Sequence, residues 1–424
     1  FVVACHGLET PKLLLLSEVA NSSGQVGRNL MDHSGIGLQF LADEPVWMGC
    51  GQIQQGGSFN FGDPGSPNSY PGLRYTQISS ENLTWEVARK QNLGVDINIL
   101  NNTFSLTLDL YQETRRNIYV LRGQLPAIVG VSAQPWANIG KMDNRGIDGN
   151  FAVNKKIRGI DFTLRGNFTY YKNKILERDE QYNVYPYLLQ QGYRADQTRG
   201  LIALGLFKDY EEIRNSPKQT FGPVMPGDIK YKDVNGDGLI NNDDVVPIGA
   251  SWRPALLYGF GLSARYKGFD FNVLFQGAGR TSYFLNGPTV YPFVEGEWGN
   301  ILAEVADPAN RWISNDIAGG HPGAENPNAK YPRLSYGGNA NNYRASTFWL
   351  RDGAYLRFKT LEIGYTLPAR IATKIRMSNM RIYLLGQNLF VWDKVNVWDP
   401  ELASSDGTRY PLPKTITIGT TFKF

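Results

Sequence analysis

From about residue 57 onward, apolar and polar residues alternate along several segments of the chain. In residues 160–170 large apolar side chains alternate with Asp, Thr, Arg and Asn, and residues 269–276 and 415–424 repeat the pattern. A period of two places one face of a β-strand in an apolar medium and the other face in a polar one. Each segment has about 9–11 residues, the length of a tilted strand that crosses a bilayer. The pattern therefore predicts antiparallel strands that suit a transmembrane β-barrel.

Residues 1–56 follow a different pattern. "FVVA" at the start predicts a short strand, and "ETPKLLLLSE" carries the signals of a helix start, with Thr10 as the N-cap, Pro11 at the first helical position and four leucines behind it. A strand, a turn and a helix in this order are typical of α/β architecture. The fold class is therefore predicted to be mainly β, with a small and incomplete α/β fragment at the N-terminus.

Composition agrees with this prediction. The chain has 424 residues, of which 46 are Gly, 12% are aromatic and 19% are charged, as in all-β proteins with aromatic girdles. The net charge of +4 gives no reason to expect nucleic acid as a partner. No stretch approaches 18 consecutive apolar residues, so we expect no transmembrane helix, and "FVVACHG" does not predict a signal peptide. Cys5 and Cys50 could form a pair or be free thiols.

A soluble β-sandwich is the alternative interpretation of the alternating segments, because its apolar face would meet a second sheet. Two features favour the barrel. The apolar face is unusually aromatic, and the connections are long and rich in Gly, Asn, Asp and Pro, as in "NGPTVYPFVEGEWGN". We expect these connections to be largely structureless loops on one rim of the barrel. A soluble, β-rich glycan-binding module stays open as a third function.

Four stretches in the same order and spacing resemble the SusC class of TonB-dependent outer-membrane transporters. They lie at Asn82–Val120, Asn144–Val153, Phe348–Pro368 and Arg381–Glu401. The first stretch predicts a strand that ends near Leu100, a tight turn at Asn101 and Asn102, and a returning strand. The resemblance covers residues 57–424 and implies the C-terminal part of a 22-stranded plugged barrel, a size known for such transporters. About a dozen strands are expected in this part once long loops are allowed for. The family's plug and TonB box have no counterpart in this sequence.

The resemblance also implies a function, a location and partners. It implies TonB-dependent import of a nutrient across the outer membrane of a Gram-negative, Bacteroidetes-like cell, with a glycan or oligosaccharide as the default substrate and a peptide as the alternative. The implied partners are a SusD-like surface lipoprotein, the TonB–ExbB–ExbD complex through the missing N-terminal part, and outer-membrane lipid. The final strand ends on Phe424, which resembles the signal that the barrel-assembly machinery recognises.

The first 56 residues resemble a different family. "GLETPKLLLLS" followed by "VGRNLMDH" is similar to the glucose–methanol–choline oxidoreductases, which implies a piece of an FAD-binding domain. No G-x-G-x-x-G fingerprint precedes it, and the only histidines are His6, His33 and His321. We therefore predict no catalytic residue, no flavin-binding residue and no enzyme activity, with a fragment of an alcohol or sugar oxidoreductase as the alternative. The flavoenzyme-like segment stops within its domain and the barrel-like segment starts within its own, with no linker between them. We therefore form the hypothesis that a sequence-assembly error or a deletion joined the two segments near residue 56.

A calcium-type motif lies in "DVNGDGLINNDD". Asp233, Asn235 and Asp237 fit the start of the loop, Leu239 would give its carbonyl, and Asp244 takes the twelfth position. Alternating hard oxygens can converge on one cation, so we predict that Ca²⁺ or another hard cation binds this loop and stabilises it. The shorter Asp244 in place of Glu predicts weaker binding. A polar turn without a metal is the alternative, because Asp, Asn and Gly favour turns.

Tryptophans in or beside loops are expected to be exposed and are the remaining candidates for contact with a ligand. Their indole faces could stack on sugar rings, or they could belong to an interfacial girdle. No individual substrate-binding residue is predicted. The set comprises Trp136, Trp252, Trp298, Trp312, Trp392 and Trp398.

Overall fold

The computed structural model describes residues 80, 82–125, 134–296, 299–321 and 323–424. Nine long strands form one antiparallel sheet in which each strand pairs with the next long strand along the chain. They are β1 (Val87–Ile99), β2 (Phe104–Leu121), β3 (Trp136–Ile157), β4 (Ile160–Glu177), β5 (Leu256–Tyr266), β6 (Phe269–Gly279), β7 (Tyr355–Thr366), β8 (Asn379–Asp393) and β9 (Thr415–Lys423).

The first hairpin confirms the turn predicted from Asn101 and Asn102. β1 ends at Ile99 and β2 begins at Phe104. Leu100, Asn101 and Asn102 all have a positive φ, between 52° and 62°. Asn tolerates this left-handed region because its short side chain can hydrogen-bond locally. The turn closes where the backbone N–H of Thr103 donates to the carbonyl of Leu100 at 3.1 Å.

The strand lengths confirm part of the predicted range. β5 and β6 have 11 residues each and β9 has 9, which fits one tilted crossing of a bilayer. β4, which contains the segment 160–170, has 18 residues, so the expectation of about 9–11 residues is wrong for it. The neighbouring β2 and β3 have 18 and 22 residues. Their backbone ladders continue past the length of one crossing because neighbouring strands stay paired there.

The sheet has two different ends. At one end, which we call the turn end, short connections join β1 to β2, β3 to β4, β5 to β6 and β7 to β8. At the opposite loop end, long connections join β4 to β5, β6 to β7 and β8 to β9. The antiparallel order places all four short connections on one side. Short turns on one side and long loops on the other are typical of outer-membrane barrels.

The connections at the loop end are folded, so the expectation of structureless loops is wrong. We call residues 178–255, 280–354 and 394–414 the loop assembly. Its core contains fully buried Ile229, Tyr231, Val305 and Trp349. The loop assembly contains helices α1 (Tyr210–Arg214) and α2 (Ala303–Ala306), and short strands at Gln197–Gly200, Ala203–Leu206, Lys218–Gln219, Ile229–Tyr231, Leu239–Ile240, Val246–Ser251, Ser282–Phe284 and Leu350–Asp352, with 3-10 turns at Pro186–Leu188, Asn242–Asp244 and Pro400–Leu402.

The described residues place nine strands in the main sheet, and because residues 57–79 are not described, the count of about a dozen for residues 57–424 stays a prediction. A third short helix, α3 (Ala369–Ala372), followed by the 3-10 turn Thr373–Ile375, joins β7 to β8. None of the helices in the described part has the length and apolar character that a bilayer crossing requires. The predicted α/β fragment of residues 1–56 lies outside the described residues.

Candidate functional site

The two faces of the sheet differ sharply in chemistry. On one face, the register aligns Asp161 with Arg265 and then with Asp270, and Thr163 with Ser263. On the opposite face, cross-strand neighbours are apolar, as in Leu384 and Ile418. Ile418 is 77% exposed and Leu384 is 43% exposed, so this apolar face is uncovered. An exposed apolar face of this extent is the surface that a lipid bilayer covers in a barrel.

Aromatic rings form a row across the apolar face. Phe275 on β6 stacks on Phe260 of β5 and on Phe358 of β7, with both pairs of ring centroids 5.0 Å apart. Trp392 on β8 continues the row, with its centroid 6.4 Å from that of Phe275. Phe269 lies six residues before Phe275, which is roughly 20 Å along a strand. It packs against Tyr365 at 4.5 Å and marks a second aromatic level at the turn end.

A polar hollow of about 730 Å³ lies on the polar face near the turn end. Arg381 lies at one side, where its Nε donates to Asp270 Oδ1 at 3.0 Å and its Nη2 contacts the carboxylates of Asp270 and Glu362. The side chains of Arg165 and Arg265 line the same hollow. Four basic side chains (Arg165, Arg265, Lys267 and Arg381) and three acidic ones (Asp161, Asp270 and Glu362) line the hollow, so it has a surplus of one positive charge. The hollow can hold polar or anionic groups.

The last long loop is fastened to the polar face by a buried arginine. Arg357 on β7 is 2% exposed, and its guanidinium contacts the carboxylates of Asp399 and Glu401. The Nε atom lies 2.8 Å from Glu401 Oε2. Asp399 also accepts the backbone N–H of Glu401 and so caps the 3-10 turn Pro400–Leu402. This loop is therefore held against the polar face at a defined place.

A buried polar network joins the first long loop to the second. Asp228 is fully buried, and one of its carboxylate oxygens lies 2.7 Å from Arg333 Nε and accepts from Asn342 Nδ2 at 2.8 Å. Gln219 donates to Asn341 Oδ1 at 2.6 Å across 122 residues of sequence. Buried polar groups require such partners, and a complete network specifies one arrangement of the two loops.

A second hollow, of about 530 Å³, lies in the loop assembly between residues 208–226 and 311–334. Its lining combines the aromatic rings of Tyr210 and Trp312 with the charged side chains of Lys208, Arg311 and Asp316. An apolar body with a few polar groups around it is the usual composition of a small-molecule site. The second hollow therefore has the composition of a site for a small solute.

The six tryptophans do not form one group. Trp136, Trp252 and Trp392 are 41%, 53% and 49% exposed, and Trp392 lies on the apolar face as a girdle residue would. The expectation that Trp312 is exposed is wrong, because it is 7% exposed and its ring packs against Gly227. Trp398 is half-buried and donates to the carbonyl of Ser404 at 2.9 Å. Trp298 lies outside the described residues.

The predicted calcium loop forms a tight turn at Asp233–Asp237. Asp233 accepts the backbone N–H groups of Gly236 and Gly238 at 2.7 and 2.9 Å, and Asn235 Oδ1 accepts that of Asp237 at 3.1 Å. Asp237 Oδ1 in turn accepts the backbone N–H of Leu239 at 2.8 Å. Three of the five predicted ligands, Asp233, Asn235 and Asp237, therefore lie in one turn held by backbone hydrogen bonds, and Leu239 meets this turn through its N–H group.

Asp244 lies at the base of the same loop. It is fully buried, and its two oxygens accept the backbone N–H groups of Val234 and Asn241 at 2.7 and 2.9 Å. Within the part of the chain that the structure describes, no group of three or more His, Cys, Asp or Glu side chains has the geometry of a metal centre. The metal assignment therefore stays a prediction.

Of the residues named with the flavoenzyme-like segment, Cys5, Cys50, His6 and His33 lie outside the described residues. His321 is in the loop assembly, where its Nδ1 accepts the backbone N–H of Gly323 at 3.2 Å. This contact is an ordinary local turn and gives His321 a structural role.

Sequence reasoning missed the ion pairs of Arg357 and Arg381 and the network around Asp228. Both arginines lie in stretches that carried the family resemblance, Phe348–Pro368 and Arg381–Glu401. Unpaired charges inside otherwise alternating strands were the available signal. Their partners could not be found that way, because Asp270 and Arg381 are 111 residues apart.

Comparisons with known proteins agree with the sequence resemblance to TonB-dependent transporters over most of the chain. Residues 52–389 match the family model described as TonB dependent receptor-like, beta-barrel. The TonB-dependent receptor P26 of Formosa agariphila is 30% identical over 380 residues, which cover 83% of this chain and 36% of that protein. The TonB-dependent receptor SusC of Bacteroides thetaiotaomicron is 25% identical over 415 residues, with 94% and 37% covered. The chain thus spans just over a third of the length of these relatives.

Two further similarities complete the comparison. The solved structure of the RagAB peptide transporter aligns with a TM-score of 0.60 at 19% identity, covering 81% of this chain and 36% of that chain. The fructose dehydrogenase large subunit of Gluconobacter japonicus is 46% identical over 121 residues, covering 23% of this chain and 22% of that protein. The first similarity concerns the fold of the sheet and loops, and the second concerns a short segment.

Proposed function

Because this chain belongs to the TonB-dependent receptor-like β-barrel family, we propose that it forms part of the wall of a nutrient importer in the outer membrane of a Gram-negative cell. The observation that carries the proposal is the two-faced sheet. One face is apolar and exposed on the nine strands, and the other is polar and is contacted by the last long loop through Arg357. A bilayer on one side and a water-filled lumen on the other account for both faces.

The chain spans just over a third of its relatives, so the activity of the whole protein is a proposal. We propose energy coupling through TonB–ExbB–ExbD by parts of the protein beyond this segment. We also propose a SusD-like lipoprotein over the loop assembly and recognition of the last strand by the barrel-assembly machinery. The resemblance to SusC-class transporters supports an oligosaccharide substrate, and the peptide transporter RagAB, which shares the fold, keeps a peptide as the alternative.

The flavoenzyme interpretation does not apply to the chain as a whole. The relatives that cover most of the chain are TonB-dependent receptors by name. Similarity to the fructose dehydrogenase subunit supports a short segment of flavoenzyme-like sequence, for which we propose no activity. We keep the join near residue 56 as a hypothesis. Sequencing the source DNA across codons 50–65 tests it, since an uninterrupted genomic reading frame would contradict an artefact.

A charge placed on each face in turn tests the proposed function. Ile418→Lys places a charge on the apolar face of β9, and Thr417→Lys places the same charge on the polar face. A lysine near the bilayer midplane of a barrel costs about 2–4 kcal/mol when it faces lipid. We expect Ile418→Lys to reduce the folded protein recovered in the outer-membrane fraction, while Thr417→Lys leaves it near the wild-type level.

The gene product should be expressed with its natural flanking sequence and followed by fractionation and heat-modifiable migration on a gel. Recovery of the wild-type protein as a soluble monomer would overturn the membrane location and favour the soluble glycan-binding module. Equal losses from both lysine variants would contradict the assignment of the two faces. Uptake of labelled oligosaccharides and peptides by cells with and without the gene then separates the two substrate classes.

A further inference from the structure

The four connections at the turn end of the sheet carry charge of a single sign. They are residues 100–103, 158–159, 267–268 and 367–378, and their sequence contains no acidic residue. The nearest carboxylates, those of Asp161 and Asp270, belong to the strands and line the hollow on the polar face. By contrast, both signs are mixed along the first long loop, for example at Lys208, Asp209, Glu211 and Arg214. The basic residues of the four connections are Arg158, Lys267, Arg370, Lys374 and Arg376.

The connection between β7 and β8 combines these charges with exposed apolar side chains. Ile371 in α3 and Ile375 in the following 3-10 turn are 50% and 47% exposed. They are four residues apart, so they lie on the same side of the helical segment. The flanking Arg370, Lys374 and Arg376 are also exposed. Exposed apolar residues among basic ones are the composition of a segment that lies in a membrane interface.

This connection continues the apolar face of the sheet. It leads directly into β8, where Ile382 is 41% exposed on the apolar face. On the neighbouring turn, the Nζ of Lys267 lies 5.1 Å from the ring centroid of Tyr266, which is 41% exposed. An aromatic ring with a lysine ammonium beside it suits the level at which the hydrocarbon core meets the headgroups. The basic turns therefore lie at the border of the surface that we assign to lipid.

We propose that the turn end binds the headgroups of anionic phospholipids in the leaflet that it faces, through Arg370, Lys374 and Arg376 with Ile371 and Ile375 inserted among the acyl chains. This inference rests on the proposed membrane function. The two observations are the basic connections and the exposed isoleucines beside the surface that we assign to lipid. An acidic protein would match the basic charges but would not explain the isoleucines, whereas a lipid explains both. Phosphate groups attract clustered basic residues near a membrane surface.

The test compares two triple variants of the full chain in detergent. Arg370→Gln/Lys374→Gln/Arg376→Gln removes the charges of the turn end. Arg214→Gln/Lys218→Gln/Lys232→Gln removes three exposed basic residues of the loop assembly and is the matched control. Each protein is titrated with dihexanoyl phosphatidylglycerol, with the zwitterionic phosphatidylcholine of the same chain length, and with glycerol 3-phosphate.

We expect the wild type and the control to prefer the anionic lipid, and the turn-end variant to bind it roughly tenfold to a hundredfold more weakly. Ile371→Ser/Ile375→Ser should weaken the binding of both lipids. Equal anionic lipid binding by the two triple variants would overturn the inference. So would glycerol 3-phosphate binding as tightly as the lipid, or polyglutamate displacing the lipid at equal charge concentration, because either shows a site for a soluble anion or an acidic protein.

Reconstitution separates this inference from the proposed function. Insertion of the wild-type protein, expressed with its natural flanking sequence, into vesicles of neutral phosphatidylcholine requires the apolar face but no anionic headgroup. Failure of insertion would overturn the membrane function, and the lipid inference with it. Insertion together with equal phosphatidylglycerol affinities of the two triple variants would overturn the lipid inference alone.

Discussion

The ring of Tyr383 on β8 covers Gly419 on β9, its direct cross-strand partner. A Cβ atom at position 419 would lie 2.3 Å from Tyr383 Cζ, closer than any packed contact allows. The same combination of an aromatic ring over a paired glycine recurs between neighbouring strands along the sheet. The other pairs are Tyr111 with Gly146, Phe151 with Gly166 and Tyr258 with Gly277.

We predict that Gly419→Ala destabilises the sheet at its last strand. The added methyl forces the Tyr383 ring away from its position, and overpacking of this kind typically costs about 1–3 kcal/mol. Gly338→Ala is the control, because nothing lies within 4 Å of the added atom and the backbone there is not left-handed. Urea unfolding in detergent, followed by tryptophan fluorescence, gives both free energies. Equal stability of the two variants would contradict the packing role of the ring.

The contact between Asp228 and Arg333 leads to a prediction for the loop assembly. In Asp228→Asn the carboxylate is lost while Arg333, with 21% of its side chain exposed, keeps its charge. Breaking a fully buried pair costs about 3–5 kcal/mol, and partial exposure of Arg333 reduces this to about 2–3 kcal/mol. Asp316→Asn, on the surface of the same assembly, should change stability little. Hydrogen exchange of residues 225–231 measures the local opening, and protection unchanged in Asp228→Asn would be evidence against the network.

The strands of the sheet could be predicted because their signal is local. The alternation at 160–170 and the turn at Asn101–Asn102 each lie within one short segment, and the structure confirms both. Strand length was less predictable. The ends of β3 depend on pairing with β2 and β4, which a single segment does not reveal.

The loop assembly could not be predicted for the opposite reason. Its network joins residues more than a hundred positions apart, as in Gln219 with Asn341, so composition showed only Gly, Asn and Pro and indicated structureless loops. Trp312 illustrates the error. Its place in a polar loop indicated exposure, but Gly227, at φ +85°, brings the backbone of another loop against the ring. The asparagines at 341 and 342, which indicated a flexible loop, are buried as hydrogen-bonding partners.

Acid is expected to loosen the loop assembly through Glu304. The Lys330 ammonium and the Tyr331 hydroxyl, which donates at 3.0 Å, hold the pKa of Glu304 below its ordinary value of 4.5. A lowered pKa in the folded state means that the stabilisation is present above the unfolded value and is lost as the pH falls through the folded value. The loss therefore occurs below about pH 4.5.

Glu304→Gln tests this pH dependence. We expect the variant to be less stable than the wild type at pH 7, and to lose less stability than the wild type between pH 5 and pH 3. Thermal unfolding of both proteins across this range provides the measurement. Asp316→Asn serves again as the control, because it removes an exposed carboxylate from the same assembly. If the wild type and Glu304→Gln lose the same stability between pH 5 and pH 3, then Glu304 is not the cause of the acid sensitivity.

The loop at Asp233–Asp244 gives the last prediction. If a hard cation binds and stabilises this loop, Ca²⁺ should raise the unfolding temperature of the loop assembly and a chelator should reverse the rise. Asp237→Asn removes a proposed ligand charge and should abolish the response, and Asp243→Asn, whose side chain is not a proposed ligand, should keep it. Backbone hydrogen bonds already hold the turn, since Asp233 accepts from both Gly236 and Gly238. If Ca²⁺ does not change the unfolding temperature, these hydrogen bonds alone are sufficient to hold the turn. The motif would then be a polar turn without a metal.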